Sequence, residues 1–158
     1  MPKRIYIETT IPSAYYTLRT DDVSLARQKL TRQWWEEYAN LFTLTSSTAV
    51  IDELEAGSGA VTLDRLTLLD SVEMFNPTVE SVQISQIYIE KLIMPQKEGG
   101  DALHLAIASF HHVDILLTWN CTHLANPNKF DFIARINREL GLITPELKTP
   151  HDYLGGSA

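Results

Sequence analysis

The chain has 158 residues and a mass of 17.9 kDa, the size of one compact domain, because a single hydrophobic core usually serves about 100–200 residues. Hydrophobic residues make up 44% of the chain and charged residues 21%, which excludes a disordered or low-complexity protein. Thirteen Lys and Arg against twenty Asp and Glu give a net charge of −7. This acidity argues against a tight general binder of DNA or RNA, which would carry an excess of cations. It leaves open an enzyme with a carboxylate-rich pocket.

Composition also predicts the compartment. No apolar run approaches the roughly 18–20 residues that span a bilayer, and Lys3 and Arg4 are not followed by the long apolar stretch of a signal peptide. The single cysteine, Cys121, cannot form an internal disulfide or a structural zinc site. We therefore expect a reduced, cytoplasmic protein that does not bind membranes.

Strands and helices alternate in the predicted secondary structure. A short apolar strand at 5–7 is followed by a segment, 22–40, in which apolar residues recur every three or four positions, as on an amphipathic helix. Ser47 and its neighbours are typical N-caps for a helix that ends at Gly57. Three further strands are predicted at 41–44, 72–75 and 115–118. Further helices are predicted over about 60–69, from a cap at Thr78 to a point before Pro95, from Asp101 onward as an apolar helix, and from a cap at Asn128 to about Leu140, with Gly141 past its end. A polar loop is predicted at 96–100.

This alternation predicts an α/β fold around a mainly parallel sheet. We expect one domain over residues 1–150, in which the segment with Pro145 and Pro150 is loop-like, and a flexible C-terminal tail at 151–158. The sequence has no phosphate-binding loop, dinucleotide fingerprint, nucleophile elbow or zinc-binding spacing, which narrows the enzyme classes that remain.

Polar side chains follow two of the predicted strands, where open α/β sheets bind their ligands. Glu8 comes just past the first strand and Asn120 just past the strand at 115–118. Asp101 lies in the first turn of an otherwise apolar helix, where a carboxylate also stabilises the helix dipole. A turn-forming role is the alternative for Asn120.

The helix after Ser47 supplies a further acidic candidate. At about 100° per residue, Asp52 lies opposite the apolar face of this helix, whereas Glu53 and Glu55 flank that face on either side. The helical wheel does not separate Glu53 from Glu55. Oxygen ligands from four separated segments suit Mg²⁺ or Mn²⁺, and such a site can orient a phosphodiester and activate a water molecule.

Four segments together resemble the PIN-domain nucleases, most closely their VapC-like toxin branch. The segments are YIETTIPS at 6–13, VIDEL at 50–54, GDALHLAIA at 100–108 and LTWNCTHLA at 117–125. The resemblance covers residues 4 to 145. It implies a three-layer α/β/α sandwich and metal-dependent cleavage of RNA, with a cognate antitoxin and a second copy of the chain as expected partners.

The resemblance also assigns the site residues. Glu8, Glu53 and Asp101 match the three metal-binding acids, which favours Glu53 over Glu55, and Asn120 matches the fourth position. Two of these residues depart from the usual pattern. Glu8 stands in place of the family's usual Asp, and Asn120 supplies an uncharged oxygen where the family often has Asp. We therefore expect one firmly bound Mg²⁺ or Mn²⁺ and a second, weaker one that arrives with the substrate.

Neighbouring side chains are candidates for substrate contacts. Thr9, Thr10 and Thr118 can hydrogen-bond a metal-bound water or a phosphate, or they can cap the strand ends. Trp119 can stack on a base or pack in the core. His104 shares a helix face with Asp101, and we interpret it as a core histidine.

These observations predict a metal-dependent endoribonuclease, the toxin of a type II toxin–antitoxin pair, that hydrolyses RNA with a metal-activated water. The alternative is a catalytically weak PIN-fold module that binds protein or RNA, which the net charge and the two departures favour. Cleavage of structured DNA is a third possibility, because the same site chemistry permits it.

Overall fold

A central parallel sheet organises the fold. The computed structural model describes residues 1–57, 59–91, 94 and 100–154. In these residues the sheet has five strands in the order β3-β2-β1-β4-β5, and all four pairings are parallel. The strands are β1 (Arg4–Ile7), β2 (Thr43–Ser47), β3 (Glu73–Phe75), β4 (Ile115–Leu117) and β5 (Glu146–Lys148).

Helices connect the strands and flank the sheet, which gives the predicted three-layer α/β/α sandwich. They are α1 (Thr10–Tyr15), α2 (Asp22–Glu37), α3 (Thr48–Ala56), α4 (Thr62–Leu68), α5 (Val79–Glu90), α6 (Gly100–Phe110), α7 (Pro127–Glu139) and α8 (Pro150–Leu154), with a 3₁₀ helix at Ala39–Leu41. In the described part of the chain, none of these helices combines the length and apolar character needed to cross a bilayer.

The strand order reverses at β1, which has β2 on one side and β4 on the other. Ile5 lies in register with Leu44 of β2 and with Ile115 of β4. At such a switch point the connections leave in opposite directions, so a crevice opens beyond the carboxyl ends of the two central strands. The residues that follow β1 and β4, Glu8 and Thr118, therefore meet at the mouth of this crevice.

The core lies on both faces of these central strands. Side chains alternate between the two faces of a strand, so Ile5 and Ile7 point to one layer of helices, and Tyr6 points to the other together with Glu8. All of these residues are buried. Helix α6 is buried along most of its length, as its nearly continuous apolar sequence predicts.

The second strand starts two residues later than predicted and continues through Ser47. Its polar residues are compatible with a buried strand because their hydroxyls are satisfied within the sheet. Thr45 Oγ1 donates to the carbonyl of Ile5 at 2.9 Å, and Ser46 Oγ donates to that of Ile7 at 2.7 Å. The prediction from hydropathy misplaced this strand because Thr45 and Ser46 are polar. Their hydroxyls are nevertheless compatible with burial, since each donates to a backbone carbonyl of β1.

Two predicted helix ends are confirmed, whereas Ser47 lies at the N-cap position of α3 without a side-chain capping hydrogen bond. Thr78 caps α5 in a reciprocal capping box with Ser81, and Gly141 follows α7 with a φ of 75°, as predicted. The prediction that Asn128 caps α7 was wrong. Asn126 is the cap, and its side chain accepts from the backbone N–H of Asn128 at 3.0 Å, because Pro127 is fixed at the first helical position.

The loop prediction around Pro145 and Pro150 was also wrong, because this segment forms β5 and α8. Strand β5 buries Leu147 beside β4, and α8 packs the ring of Tyr153 against Trp34 of α2. Both elements are too short for a periodic pattern to emerge. The domain boundary at residue 150 stays a prediction. Residues 155–158 of the predicted tail, the predicted loop at 96–99, and Pro95 lie outside the described residues.

Candidate active site

Glu8 is held at the crevice between β1 and β4 by hydroxyls from both sides. Its carboxylate Oε1 accepts from Thr10 Oγ1 at 2.5 Å, from the Thr10 backbone N–H at 3.0 Å and from Thr118 Oγ1 at 2.7 Å. Among the described residues no hydrogen bond ends on Oε2. Glu8 is only 4% exposed, so burial raises the pKa of its carboxyl, and the charge of His104 together with these hydrogen bonds partly offsets the rise.

Glu53 reaches the same crevice from α3. Its Oε1 accepts from Thr9 Oγ1 at 2.5 Å and from His104 Nε2 at 2.5 Å, and its side chain is 42% exposed. Gly100, at the start of α6, leaves the space for this carboxylate, because a Cβ at that position would overlap Glu53 Oε2. Glu53 and Glu55, the two candidates on α3, are both exposed residues, but Glu53 contacts Thr9 and His104. The contact with His104 therefore brings Glu53 into the crevice.

His104 is the centre of the cluster, and it is fully buried. Its Nδ1 lies 2.6 Å from Tyr6 Oη, which lies 2.7 Å from Ser47 Oγ. A series of hydrogen bonds therefore runs from Ser47 on β2 through Tyr6 on β1 and His104 on α6 to Glu53 on α3. With the imidazole protonated, both ring N–H groups donate, one to Glu53 and one to Tyr6, and Tyr6 donates to Ser47.

Electrostatics favours this protonated form. Burial acts to lower the pKa of His104, but the hydrogen bond to Glu53 and the charges of Glu8, Glu53 and Asp101 outweigh it, so the pKa is raised. Burial also acts to raise the pKa of Glu53, but the hydrogen bond and charge of His104 prevail and lower it. His104 and Glu53 therefore stabilise each other's charged form, as an ion pair in which the histidine is buried and the glutamate is partly exposed.

Asp101 and Asn120 form the other half of the cluster. Asn120 Oδ1 accepts from the backbone N–H groups of Thr122 at 3.3 Å and His123 at 3.0 Å, and its side chain also hydrogen-bonds Asp101. Because the oxygen faces the turn, the amide nitrogen is the group that faces Asp101. The sequence led us to expect an oxygen ligand at this position, but the structure directs that oxygen into the turn.

The surroundings of Asp101 raise the pKa of its carboxyl above the ordinary value. Burial raises the pKa of Asp101, the hydrogen bond from Asn120 and the charge of His104 lower it, and the charge of Glu53 raises it further. Three carboxylates from β1, α3 and α6 thus surround one buried histidine. The metal-binding role predicted for Glu8, Glu53 and Asp101 stays a prediction. His104, interpreted from the sequence as a core histidine, is fully buried and hydrogen-bonded.

The donor set suits a hard divalent cation in kind, since it consists of carboxylate oxygens. Glu8 and Glu53 each accept all their hydrogen bonds on Oε1, so each has a second oxygen without a partner among the described residues. As they stand, the described side chains include no group of three Asp, Glu, His or Cys residues placed to hold one ion. An ion would have to draw the half-exposed Glu53 towards Glu8 and Asp101.

The three residues predicted to contact the substrate, Thr9, Thr118 and Trp119, differ in burial and in hydrogen bonding. Thr9 is half-buried and donates to Glu53, whereas Thr118 is fully buried and donates to Glu8. Trp119 is only 7% exposed, and its Nε1 donates to Thr31 Oγ1 at 2.8 Å. Its ring therefore packs in the core and is not available to stack on a base, and Thr118 acts through Glu8.

Sequence reasoning missed the polar side chains that hold His104, Tyr6 and Ser47, whereas Thr10, a predicted hydrogen-bonding residue, donates to Glu8. One signal could have found Tyr6, because it lies two residues before Glu8 on a strand and therefore shares its face of the sheet. Ser47 comes close to Tyr6 because β2 pairs with β1. No pattern of neighbouring residues in the sequence predicts that pairing.

Comparisons with known proteins agree with the overall fold. No protein-family model matches the chain, and no curated protein matches it. Solved structures do match: a toxin–antitoxin complex from Klebsiella pneumoniae, VapBC2 from Rickettsia felis bound to a promoter DNA fragment, and the sarcin-ricin loop cleaving toxin VapC20 from Mycobacterium tuberculosis. The chain has the PIN fold of VapC toxins.

The likeness extends over most of each VapC-type structure. The Klebsiella complex has a TM-score of 0.57 at 16% identity and covers 78% of this chain and 92% of its own. VapBC2 has a TM-score of 0.53 at 16% identity, with 92% and 98% covered, and VapC20 has 0.54 at 15% identity, with 75% and 92% covered. At such identities the likeness is one of fold, so the roles of individual residues in this chain rest on the contacts described above.

Proposed function

We propose that this chain is a metal-dependent endoribonuclease, the toxin of a type II toxin–antitoxin pair. The observation that carries the proposal is the convergence of Glu8, Glu53 and Asp101, from three separate elements, at the switch point of a parallel sheet. Clustered carboxylates repel one another, and a site that gathers them at a ligand-binding crevice is suited to a cation.

In this proposal Glu8, Glu53 and Asp101 hold Mg²⁺ or Mn²⁺. A divalent cation in such a site lowers the pKa of a bound water and stabilises the charge that develops on a phosphate. The hydroxyls of Thr10 and Thr118 fix Glu8 through Oε1 and leave Oε2 for the ion. Asn120 orients Asp101, and His104 offsets the mutual repulsion of the acids until the ion arrives.

The fold neighbours support the choice of substrate and partner. VapC20 is described as a toxin that cleaves the sarcin-ricin loop, and two of the neighbours are toxin–antitoxin complexes. We propose by analogy that RNA is the substrate, that a cognate antitoxin covers the acidic crevice, and that the protein acts in the cytoplasm as a homodimer.

Cleavage of mixed RNA oligonucleotides tests the proposal. The wild-type protein should cleave them in Mn²⁺ or Mg²⁺ and not in EDTA, and Asp101→Asn should lose at least about 100-fold in rate, because it removes a charge that the ion needs. Titration calorimetry should detect Mn²⁺ binding to the wild type that is weakened in the variant. Equal cleavage by wild type, variant and EDTA control would indicate a contaminating nuclease and contradict the assignment.

The hydrogen bonds of Glu53 and Asn120 favour a second candidate, a PIN-fold module that binds RNA or protein without efficient cleavage. Glu53 is already engaged by His104 and Thr9, and the oxygen of Asn120 is engaged by the backbone. RNA binding without cleavage in either metal would support this candidate. Structured DNA substrates assayed in parallel distinguish a deoxyribonuclease.

A further inference from the structure

A second pocket, the arginine pocket, adjoins the acidic crevice. It has a volume of about 390 Å³, and its lining includes Arg19, Arg27 and Arg65, from the α1–α2 connection, α2 and α4. No aspartate or glutamate lines it. This is a strong local excess of positive charge in a chain whose net charge is −7.

None of the three arginines forms an ion pair with a residue that the structure describes. The ion pairs among the described residues are His104–Glu53 and Lys148–Glu146, and the charge of Arg19 acts on Asp21, which does not line the pocket. Cations that face one cavity attract an anion, because their charges repel one another until it binds.

Neutral partners hold two of these cations in position. Arg65 Nη2 donates to the carbonyls of Tyr16 at 2.8 Å and Ser13 at 3.3 Å, at the end of α1. The guanidinium of Arg27 lies 5.1 Å from the ring centroid of Trp119. Both side chains are thereby ordered without loss of charge, and an ordered guanidinium binds phosphate oxygens at lower entropic cost than a free one.

Thr10 connects this pocket to the acidic crevice. It lines the pocket, donates through Oγ1 to Glu8, and accepts through the same oxygen from the Trp119 backbone N–H at 2.7 Å. The arginine pocket and the crevice at Glu8 therefore share Thr10 as a common wall.

We propose that the arginine pocket holds a backbone phosphate of single-stranded RNA next to the phosphate that is cleaved. The identity of the ligand rests on the proposed function, whereas the anion-binding character rests on Arg19, Arg27 and Arg65. Contacts to phosphates carry no base information, so this pocket adds affinity and register for any RNA sequence.

Binding of a 2′-O-methyl RNA oligonucleotide, followed by fluorescence anisotropy without divalent metal, tests the pocket separately from cleavage. Arg19→Gln and Arg27→Gln should each raise the Kd about 5- to 10-fold at low salt and make the slope of log affinity against log salt shallower by about 0.7. Arg138→Gln is the matched control, because Arg138 is an exposed arginine on α7 outside the pocket, and it should leave the Kd within about twofold.

The outcomes separate the two proposals. Unchanged Kd and salt slope in both pocket variants, or no RNA binding by the wild type, would overturn the pocket and leave the cleavage result to stand alone. Arginine-dependent binding without cleavage in Mn²⁺ would retain the pocket and reject the nuclease. Arg19 is exposed, so Arg19→Gln keeps the test valid if Arg27→Gln disturbs Trp119. In a cleaving wild type, both variants should raise KM more than they lower kcat.

Discussion

The hydroxyl of Tyr6 is the link between His104 and the sheet, and Tyr6→Phe removes it without removing the ring. Tyr6 Oη lies 2.6 Å from His104 Nδ1 and 2.7 Å from Ser47 Oγ, and all three side chains are fully buried. The substitution therefore leaves two buried polar groups without this partner and creates no large cavity.

The size of the effect follows from those two groups. A buried donor or acceptor left unsatisfied costs about 1–3 kcal/mol, and the Ser47 hydroxyl can rotate to reduce its share. We therefore expect Tyr6→Phe to lower the free energy of unfolding by about 2–4 kcal/mol. For a domain of this size that corresponds to a fall in Tm of roughly 5–15 °C.

Thermal and urea unfolding, followed by circular dichroism, measure this loss. Tyr153→Phe is the matched control, because Tyr153 Oη is buried without a hydrogen-bond partner among the described residues. Deleting that hydroxyl should leave stability unchanged or raise it slightly, since no partner is orphaned. The same chemical change is thus expected to have different effects at the two tyrosines.

A Tyr6→Phe protein within about 0.5 kcal/mol of wild type would refute the reasoning, because it would show that the hydroxyl carries no net hydrogen bond in the folded state. A Ser47→Ala background sharpens the test. If Tyr6 and Ser47 form one chain, the two substitutions together should cost less than the sum of the single losses.

Three further substitutions probe the carboxylates. Gly100→Ala should displace the flexible end of Glu53 and lower the cleavage rate by at least about tenfold with little loss of Tm. The control, Gly59→Ala, should change neither the rate nor the Tm, because an added Cβ meets nothing within 4 Å there. Equal cleavage rates for the two variants would contradict the contact between position 100 and Glu53. Glu53→Gln should lower the pKa of His104, measured by NMR of labelled histidine, because it removes a hydrogen bond and charge that raise that pKa; an unmoved titration would exclude the ion pair. Burial raises the pKa of Glu8, so the folded state retains the Glu8 proton to higher pH than the unfolded state. The stability that this protonated carboxyl contributes is lost as pH rises through the folded pKa. The Tm of Glu8→Gln relative to wild type should therefore increase from pH 4 to pH 8, and a Tm difference independent of pH would contradict the burial of this charge.

The sequence predicted those parts of the fold and site that depend on local chemistry. Helix α6, with Asp101 in its first turn, is visible as a long apolar segment, and Glu8 as an acid that ends a buried strand. Thr78 and Gly141 mark helix ends through their own side chain or backbone. Each of these features depends on residues a few positions apart, so a single sequence is enough to predict them.

The features that the sequence did not predict depend on distant residues. The contact of Glu53 with His104 joins positions 51 residues apart, and a helical wheel could not distinguish Glu53 from Glu55. Strand β5 is three residues long and is stabilised by its pairing with β4, not by its own pattern. The choice between Asn126 and Asn128 as cap was settled by Pro127, whose ring fixes the first turn of α7.

The distribution of charge resolves an apparent conflict between the acidity of the chain and its proposed substrate. Charges more than about 8–10 Å apart are largely screened at physiological ionic strength, so a phosphate responds to the groups beside it and not to the net charge of −7. At the crevice the buried His104 offsets part of the negative charge of three carboxylates, and beside it lie arginines with no acid in the pocket lining. A bound divalent cation would make the remainder of the crevice attractive to phosphate. Local arrangement, and not overall composition, therefore decides whether this acidic protein can accept RNA.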